Sequence, residues 1–312
     1  MPPRDAMNAF PPQNRPRESS AGVFFAGAAF IIWGISPIYW KQLHEVPAFE
    51  IVMHRVVWSP LLLLPVLAWQ NRWWECAAIF KKLESVLALL LTTVLVSANW
   101  LVFIWALNHE HVIETSIGYY ITPLVNVLLG IIFLRERLRR LQAAALFLAA
   151  AAVAYLTYDY GSFPWIALTL AFSFGFYGLV HKVVAISPVS GLTLEMLLLW
   201  GPAAAYLIYL NVEGTGTFLH RGLGIDLLLA ATALFTALPL LLFILGTKRL
   251  HLSTLGFLQY IAPSGYFLLG AFYYHEPVSR AQVWAFCLIW TALGLFSADS
   301  ILFYRLVARR SA

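Results

Sequence analysis

Residues 120–136, YITPLVNVLLGIIFLRE, and residues 260–276, YIAPSGYFLLGAFYYHE, decide the fold of this chain. At an offset of 140 they share Tyr120/Tyr260, Ile121/Ile261, Pro123/Pro263, Leu128/Leu268, Leu129/Leu269, Gly130/Gly270 and Glu136/Glu276. The register continues to Arg140/Arg280 and Gln142/Gln282. Leucine matches alone would be background in an apolar chain. Proline, glycine, glutamate and glutamine in one unbroken register mark an internal repeat. Upstream, the same offset pairs Thr92/Thr232, Phe103/Phe243, Ile104/Ile244 and His111/His251. An offset one or two residues longer pairs Gly34/Gly175, Lys41/Lys182, Trp58/Trp200 and Pro60/Pro202.

The repeated segments belong to apolar runs of about 18–22 residues, long enough to cross a bilayer as helices. The chain has 312 residues, 61% hydrophobic and 11% charged, with a mean hydropathy of +0.77. Soluble chains carry about a quarter charged residues, so polar side chains here are too few to cover a wet surface. Backbone groups in lipid must be satisfied internally, by helices or by a closed barrel. These runs are too long for barrel strands.

The fold class expected is therefore an all-α membrane protein with ten transmembrane helices. The spans fall near 22–40, 49–69, 85–107, 115–134, 141–158, 164–181, 191–210, 225–246, 254–274 and 281–303. They divide into two five-helix halves, 21–158 and 159–304. A proline- and arginine-bearing tail, 1–20, precedes them and reads as disordered. A basic tail, 305–312, follows. The stretch from Gly22 to Trp40 has the length of a span rather than of a signal-peptide core, so it reads as an uncleaved first helix.

With the N-terminus in the cytoplasm, sixteen lysines and arginines fall on cytoplasmic segments. Only Lys41, Arg221 and Arg280 fall outside, and Arg55 lies within a span. This positive-inside bias puts both termini in the cytoplasm. The net charge of +5 then reports topology rather than a nucleic-acid partner. Cys76 lies in a loop and Cys287 in a span, and both read as inert thiols.

An odd number of spans per half inverts the second half in the membrane. Inverted repeats rock about a site near the midplane and expose it to each side in turn, which points to carriage of a small molecule across the bilayer. No phosphate-cradling loop and no nucleophile-elbow serine is present, and no cofactor is called for. An intramembrane enzyme and a partner-dependent accessory protein are the rival classes. Self-association is compatible with the sequence.

Charged groups inside spans are costly and commonly functional. Glu50 and His54 are four apart and share a helix face, with Arg55 adjacent. Two readings stand for this outer polar cluster. Glu50 or His54 is proton-linked and Arg55 contacts an anion, or Glu50 and Arg55 neutralise each other near the interface. Asn99, Trp100 and Asn126 lie within spans, as cavity lining or as interhelical contacts. Tyr119, Tyr120, Gln259 and Tyr260 flank Pro123 and Pro263. Matched helix discontinuities of two halves point to a binding site, so these seven residues are the candidate substrate-binding set. Glu136 and Glu276 read as helix-terminal acids with i,i+4 partners Arg140 and Arg280. His109, Glu110, His111 and Glu114 match no strong metal template and read as a solvated loop.

Several motifs occur in order along the chain. They are Trp33-Gly34 with Pro37, Tyr39 and Lys41; His54-Arg55; Asn99-Trp100-Leu101 through Ala106; Gly118-Tyr119 with Pro123; and Phe133-Leu134-Arg135-Glu136-Arg137. In the second half come Ala171 to Phe174, Tyr177-Gly178-Leu179, and Leu252-Ser253-Thr254 through Ile261 and Pro263. In these the chain resembles the drug/metabolite transporter superfamily, in its EamA-domain branch, and specifically the RarD-type permeases. The resemblance implies ten helices, a bacterial inner (plasma) membrane location and secondary transport of metabolites or drugs. Members similar to this chain are described as chloramphenicol-sensitivity permeases. His181 departs from the usual arginine before Lys182 and, at a helix end, is expected to matter little. Thr122 replaces a common asparagine before Pro123 and falls in the suspected pathway.

Overall fold

A computed structural model describes residues 19–109, 111–275 and 278–311. The N-terminal tail up to residue 18, Glu110 and Glu276 lie outside it, as do the side chains of Arg305, Arg309 and Arg310. About 82% of the described residues are helical, and no strand occurs among them. Among the described residues, nine helices are long and apolar enough to cross a membrane. Their outward faces carry large apolar side chains such as Leu61, Ile132, Phe147 and Trp284, each more than half exposed. Apolar faces of that extent suit lipid rather than water. The chain is a multi-pass membrane protein.

The N-terminal half of the sequence forms α1 (Ser20–Trp40), α2 (Ala48–Trp69), a short connecting α3 (Trp73–Ile79), α4 (Leu83–Asn108), α5 (Val112–Leu134) and α6 (Arg140–Tyr160). The C-terminal half forms α7 (Trp165–Val183), α8 (Pro188–Val212), α9 (Leu223–Ala231), α10 (Ala237–Thr247), α11 (Leu252–Gln259), α12 (Ile261–Leu268) and α13 (Arg280–Ser311). Local chemistry sets the ends. The Ser19 hydroxyl accepts from the Gly22 amide at 3.0 Å, an N-cap. Gly161 closes α6 at φ +77°, a conformation glycine adopts without a steric cost. Pro188 opens α8 at a position where its missing N–H goes unused.

One expected span is not a single helix. Residues 225–246 form α9, a turn over 232–236 and then α10. Pro239 has no amide to donate to the carbonyl of Phe235, and its ring crowds that carbonyl. The chain turns there, and proline falls in the first turn of α10, where it is tolerated. The segment from Leu252 to Tyr273 is apolar enough to span and bends twice. It passes from α11 to α12 at Tyr260, three residues before Pro263, and then into a π turn over Leu269–Tyr273.

Helices of the two halves interleave. α1 packs on α10, α11 and α12, while α7 packs on α4 and α5. α2 packs on α8, α5 on α11 and α6 on α13. The last contact is a seam rich in alanine, Ala145, Ala149 and Ala152 against Ala285 and Ala292 with Ile289 between them, of the kind that lets helices approach closely in lipid.

Candidate functional site

Helix α2 sends its polar side chains in two directions. Adjacent residues on a helix point about 100° apart, so Arg55 leaves the face shared by Glu50 and His54. Its Nε donates to Thr236 Oγ1 at 2.8 Å, in the turn between α9 and α10. The Thr236 hydroxyl in turn reaches Thr232 O at 2.9 Å. The guanidinium carbon lies 5.2 Å from the Trp40 ring and 5.0 Å from the Trp100 ring. Tyr39, Tyr119 and Tyr266 lie in its neighbourhood. The Tyr119 and Tyr266 rings meet edge to face at 5.6 Å, and Tyr119 also touches Phe103. Tyr39 stacks on Phe235 at 4.1 Å and donates its hydroxyl to Leu228 O. An arginine in an aromatic panel thus sits against the broken helix, with walls from both halves.

Glu50 and His54 are buried on the other face of α2. The Glu50 carboxylate accepts from Thr217 N at 2.7 Å, Thr217 Oγ1 at 2.9 Å and, more weakly, Phe218 N at 3.4 Å. It therefore closes the loop between α8 and α9. His54 Nδ1 accepts from Trp58 Nε1 at 3.0 Å. Its Nε2 lies 3.9 Å from Glu50, beyond hydrogen-bond reach. No ion pair joins Glu50 to Arg55 among the described residues.

The other sequence candidates divide. Trp100 and Tyr119 belong to the panel around Arg55. Asn99 donates to Leu170 O and to Ser173 Oγ, each at 2.9 Å, and so ties α4 to α7. Asn126 donates to Gln259 Oε1 at 2.6 Å where α5 crosses α11. The approach is close there because a Cβ on Gly256 would stand 2.5 Å from the Pro123 carbonyl oxygen. Tyr120 packs on Phe286 at 5.5 Å. Tyr260 is fully buried with Phe257 and Phe296 in the seam formed with α13 and α6, and its hydroxyl reaches Tyr120 O at 3.3 Å. Both tyrosines therefore turn toward α13, away from the Arg55 panel.

Three acids differ from the sequence expectation. Glu114 is buried rather than solvated and accepts from the Ile166 amide at 2.8 Å, in the first turn of α7. Glu136 forms no ion pair with Arg140 among the described residues. It accepts instead from Leu252 N at 2.7 Å and from Ser253 N at 2.9 Å and Oγ at 2.8 Å, capping α11 in the other half. Glu195 is fully buried and accepts from Thr92 Oγ1 at 2.6 Å and Tyr177 OH at 3.0 Å. His181 Nε2 stands 3.0 Å from it, and a cavity of about 10 Å³ adjoins them. His181 was expected to matter little as a helix end, and its burial against Glu195 overturns that expectation. The one available signal was an acid in the middle of an apolar run.

Comparison with known proteins places this geometry. Residues 20–158 match the model of the EamA-like transporter family. An uncharacterized transporter of Bacillus subtilis, YojE, is 46% identical over 91% of this chain and 96% of its own length. Protein RarD of Salmonella typhi is 44% identical over 91% and 97%. A chloramphenicol-sensitive protein RarD of Pseudomonas aeruginosa is 31% identical over 94% and 99%. A solved crystal structure superposes with a TM-score of 0.70 at 18% identity, over 89% of this chain and 97% of the other, a likeness of fold alone.

Proposed function

This chain belongs to the EamA-like transporter family, in its RarD-type branch, and we propose that it is a secondary transporter working by alternating access. In this reading two inverted five-helix halves, 21–158 and 159–304, rock about a central site and export small metabolites or drugs. The observation that carries it is the pairing of contacts between halves. The packing of α1 on α10 answers that of α7 on α4, and α1 on α11 and α12 answers α7 on α5. The pairs α2 with α8, α5 with α11 and α6 with α13 answer themselves. Exchange of two like halves would produce that pattern, which supports inverted repeats that rock about a central site.

The inner membrane and cytoplasmic termini belong to the same reading. One end of the bundle gathers Lys182, bonded to Thr247 O, Lys248, bonded to Val184 O, and the Glu136 cap. Arg249 lies there too, against Gly22 at the start of α1. The positive-inside rule makes that end cytoplasmic. Against an enzyme using Glu50 as a base, both Glu50 oxygens are already occupied by donors.

Flux decides the matter. The purified chain alone, in proteoliposomes loaded with a mixed metabolite pool, is expected to release compounds of unaltered mass. Products of altered mass would favour the enzyme. No flux from a folded protein would favour the partner-dependent accessory.

A further inference from the structure

We propose that Arg55 is the receptor for the anionic group of an aromatic or amphipathic organic anion, whose apolar part lies against Trp40, Trp100, Tyr119 and Tyr266. The inference rests on the transporter reading and supplies its substrate class.

Ionisable groups buried in a membrane protein are normally compensated. Here the acids are: Glu50 has three donors, Glu114 has two, and Glu195 has two together with His181. Arg55, half-buried within its span, has no such counter-charge among the described residues. No carboxylate lies within 4.0 Å of it among the described residues, and only its Nε donates to a described protein group. The two Nη groups keep the planar fork that matches a carboxylate bidentately. Two indole faces stabilise the cation without supplying an acceptor for those donors.

Tyr119 keeps 37% exposure although its ring packs on Phe103 and Tyr266. The panel draws Trp40, Arg55, Trp100 and Tyr119 from one half and Thr236 and Tyr266 from the other. A ligand spanning it would touch both halves, as alternating access requires. A small inorganic anion would use the guanidinium and leave the rings idle. A neutral aromatic would leave the Nη donors unmatched, which costs affinity.

The test compares 3-phenylpropanoate with its neutral amide, 3-phenylpropanamide, by calorimetric titration of the full chain in detergent and by flux in proteoliposomes. The anion is expected to bind about tenfold or more tightly than the amide. Arg55→Gln should abolish that preference, and Arg55→Lys should keep it with about tenfold weaker binding. Thermal unfolding of each variant checks that it is folded. If Arg55→Gln does not fold, the anion–amide contrast in the wild type and in Arg55→Lys decides alone. Equal binding of the two probes, no binding of the anion, or an unchanged preference in folded Arg55→Gln would overturn the proposal. Flux of the amide or of other neutral compounds without the anion would overturn it and leave the transporter reading standing. Absence of flux for every compound would count against that reading as well.

Discussion

Glu136, beyond the end of α5, accepts the Leu252 amide at 2.7 Å and so holds the first turn of a helix from the opposite half. Carboxylates at helix N-termini satisfy otherwise orphaned donors and meet the positive end of the helix dipole. Glu136→Ala is expected to lower stability by about 1–2 kcal/mol, read as a lower Tm in detergent. Glu136→Gln keeps one acceptor and should lose less. An unchanged Tm in Glu136→Ala would show that the cap carries no net stability.

Gly256 faces the Pro123 carbonyl with no room for a methyl group. Gly256→Ala should force α5 and α11 apart and cost about 1–3 kcal/mol. Because Asn126 and Gln259 meet at the same crossing, Asn126→Ala should couple to it. A double-mutant cycle between the two is expected to depart from additivity by about 0.5 kcal/mol or more. Strict additivity would place the two contacts in independent regions.

Glu195 gathers Thr92 from α4, Tyr177 and His181 from α7. Glu195→Leu leaves the buried Tyr177 hydroxyl without its acceptor, while Thr92 can still donate to Leu89 O at 3.0 Å, and is expected to destabilise by about 1–3 kcal/mol. Replacing Tyr177 by Phe in that background should recover part of the loss, measurable by thermal unfolding.

Lys248, past the end of α10, has its ammonium pushed down to about 8 by burial and then by the charge of Lys182. The depressed value means the folded chain holds fewer protons than the unfolded one between about pH 8 and the ordinary lysine range. Stability should therefore rise with pH across that window, and the gain is lost as pH falls through about 8. Tm measured from pH 7 to 10 should climb more steeply in the wild type than in Lys248→Met. Parallel curves would refute the linkage.

Glu50 closes the Thr217 loop, so Glu50→Gln is expected to lower Tm while leaving any dependence of flux on a pH gradient intact. Loss of gradient dependence in a folded variant would instead make Glu50 the proton-linked group.

The long helices were legible because each is a run of apolar residues of bilayer length, a property local to the sequence. The break at 232–236 was less so. Pro239 stood opposite Asn99 in the repeat, but proline only permits a break, and Pro123 lies inside an unbroken α5. Arg55 was visible as a membrane arginine. Its separation from Glu50 and His54 followed from helical geometry that mere adjacency in sequence conceals. The partners of Glu195 come from positions 92, 177 and 181, and no spacing in the chain announces them. Tyr260 matched Tyr120 in the repeat, yet repeat position does not say which neighbouring helix a side chain will meet.

The parted pair α9–α10 stands opposite α4, which runs whole from Leu83 to Asn108. Were the halves to trade conformations outright, α4 would have to snap near Asn99 and α9–α10 would have to fuse through Pro239. Fusing a helix across proline costs about 3 kcal/mol. In the alternating-access reading proposed above, forms open to opposite faces would therefore not be mirror images and would occupy wells of unequal depth. On that reading the molecule, with nothing bound, would carry a resting bias toward one face of the membrane.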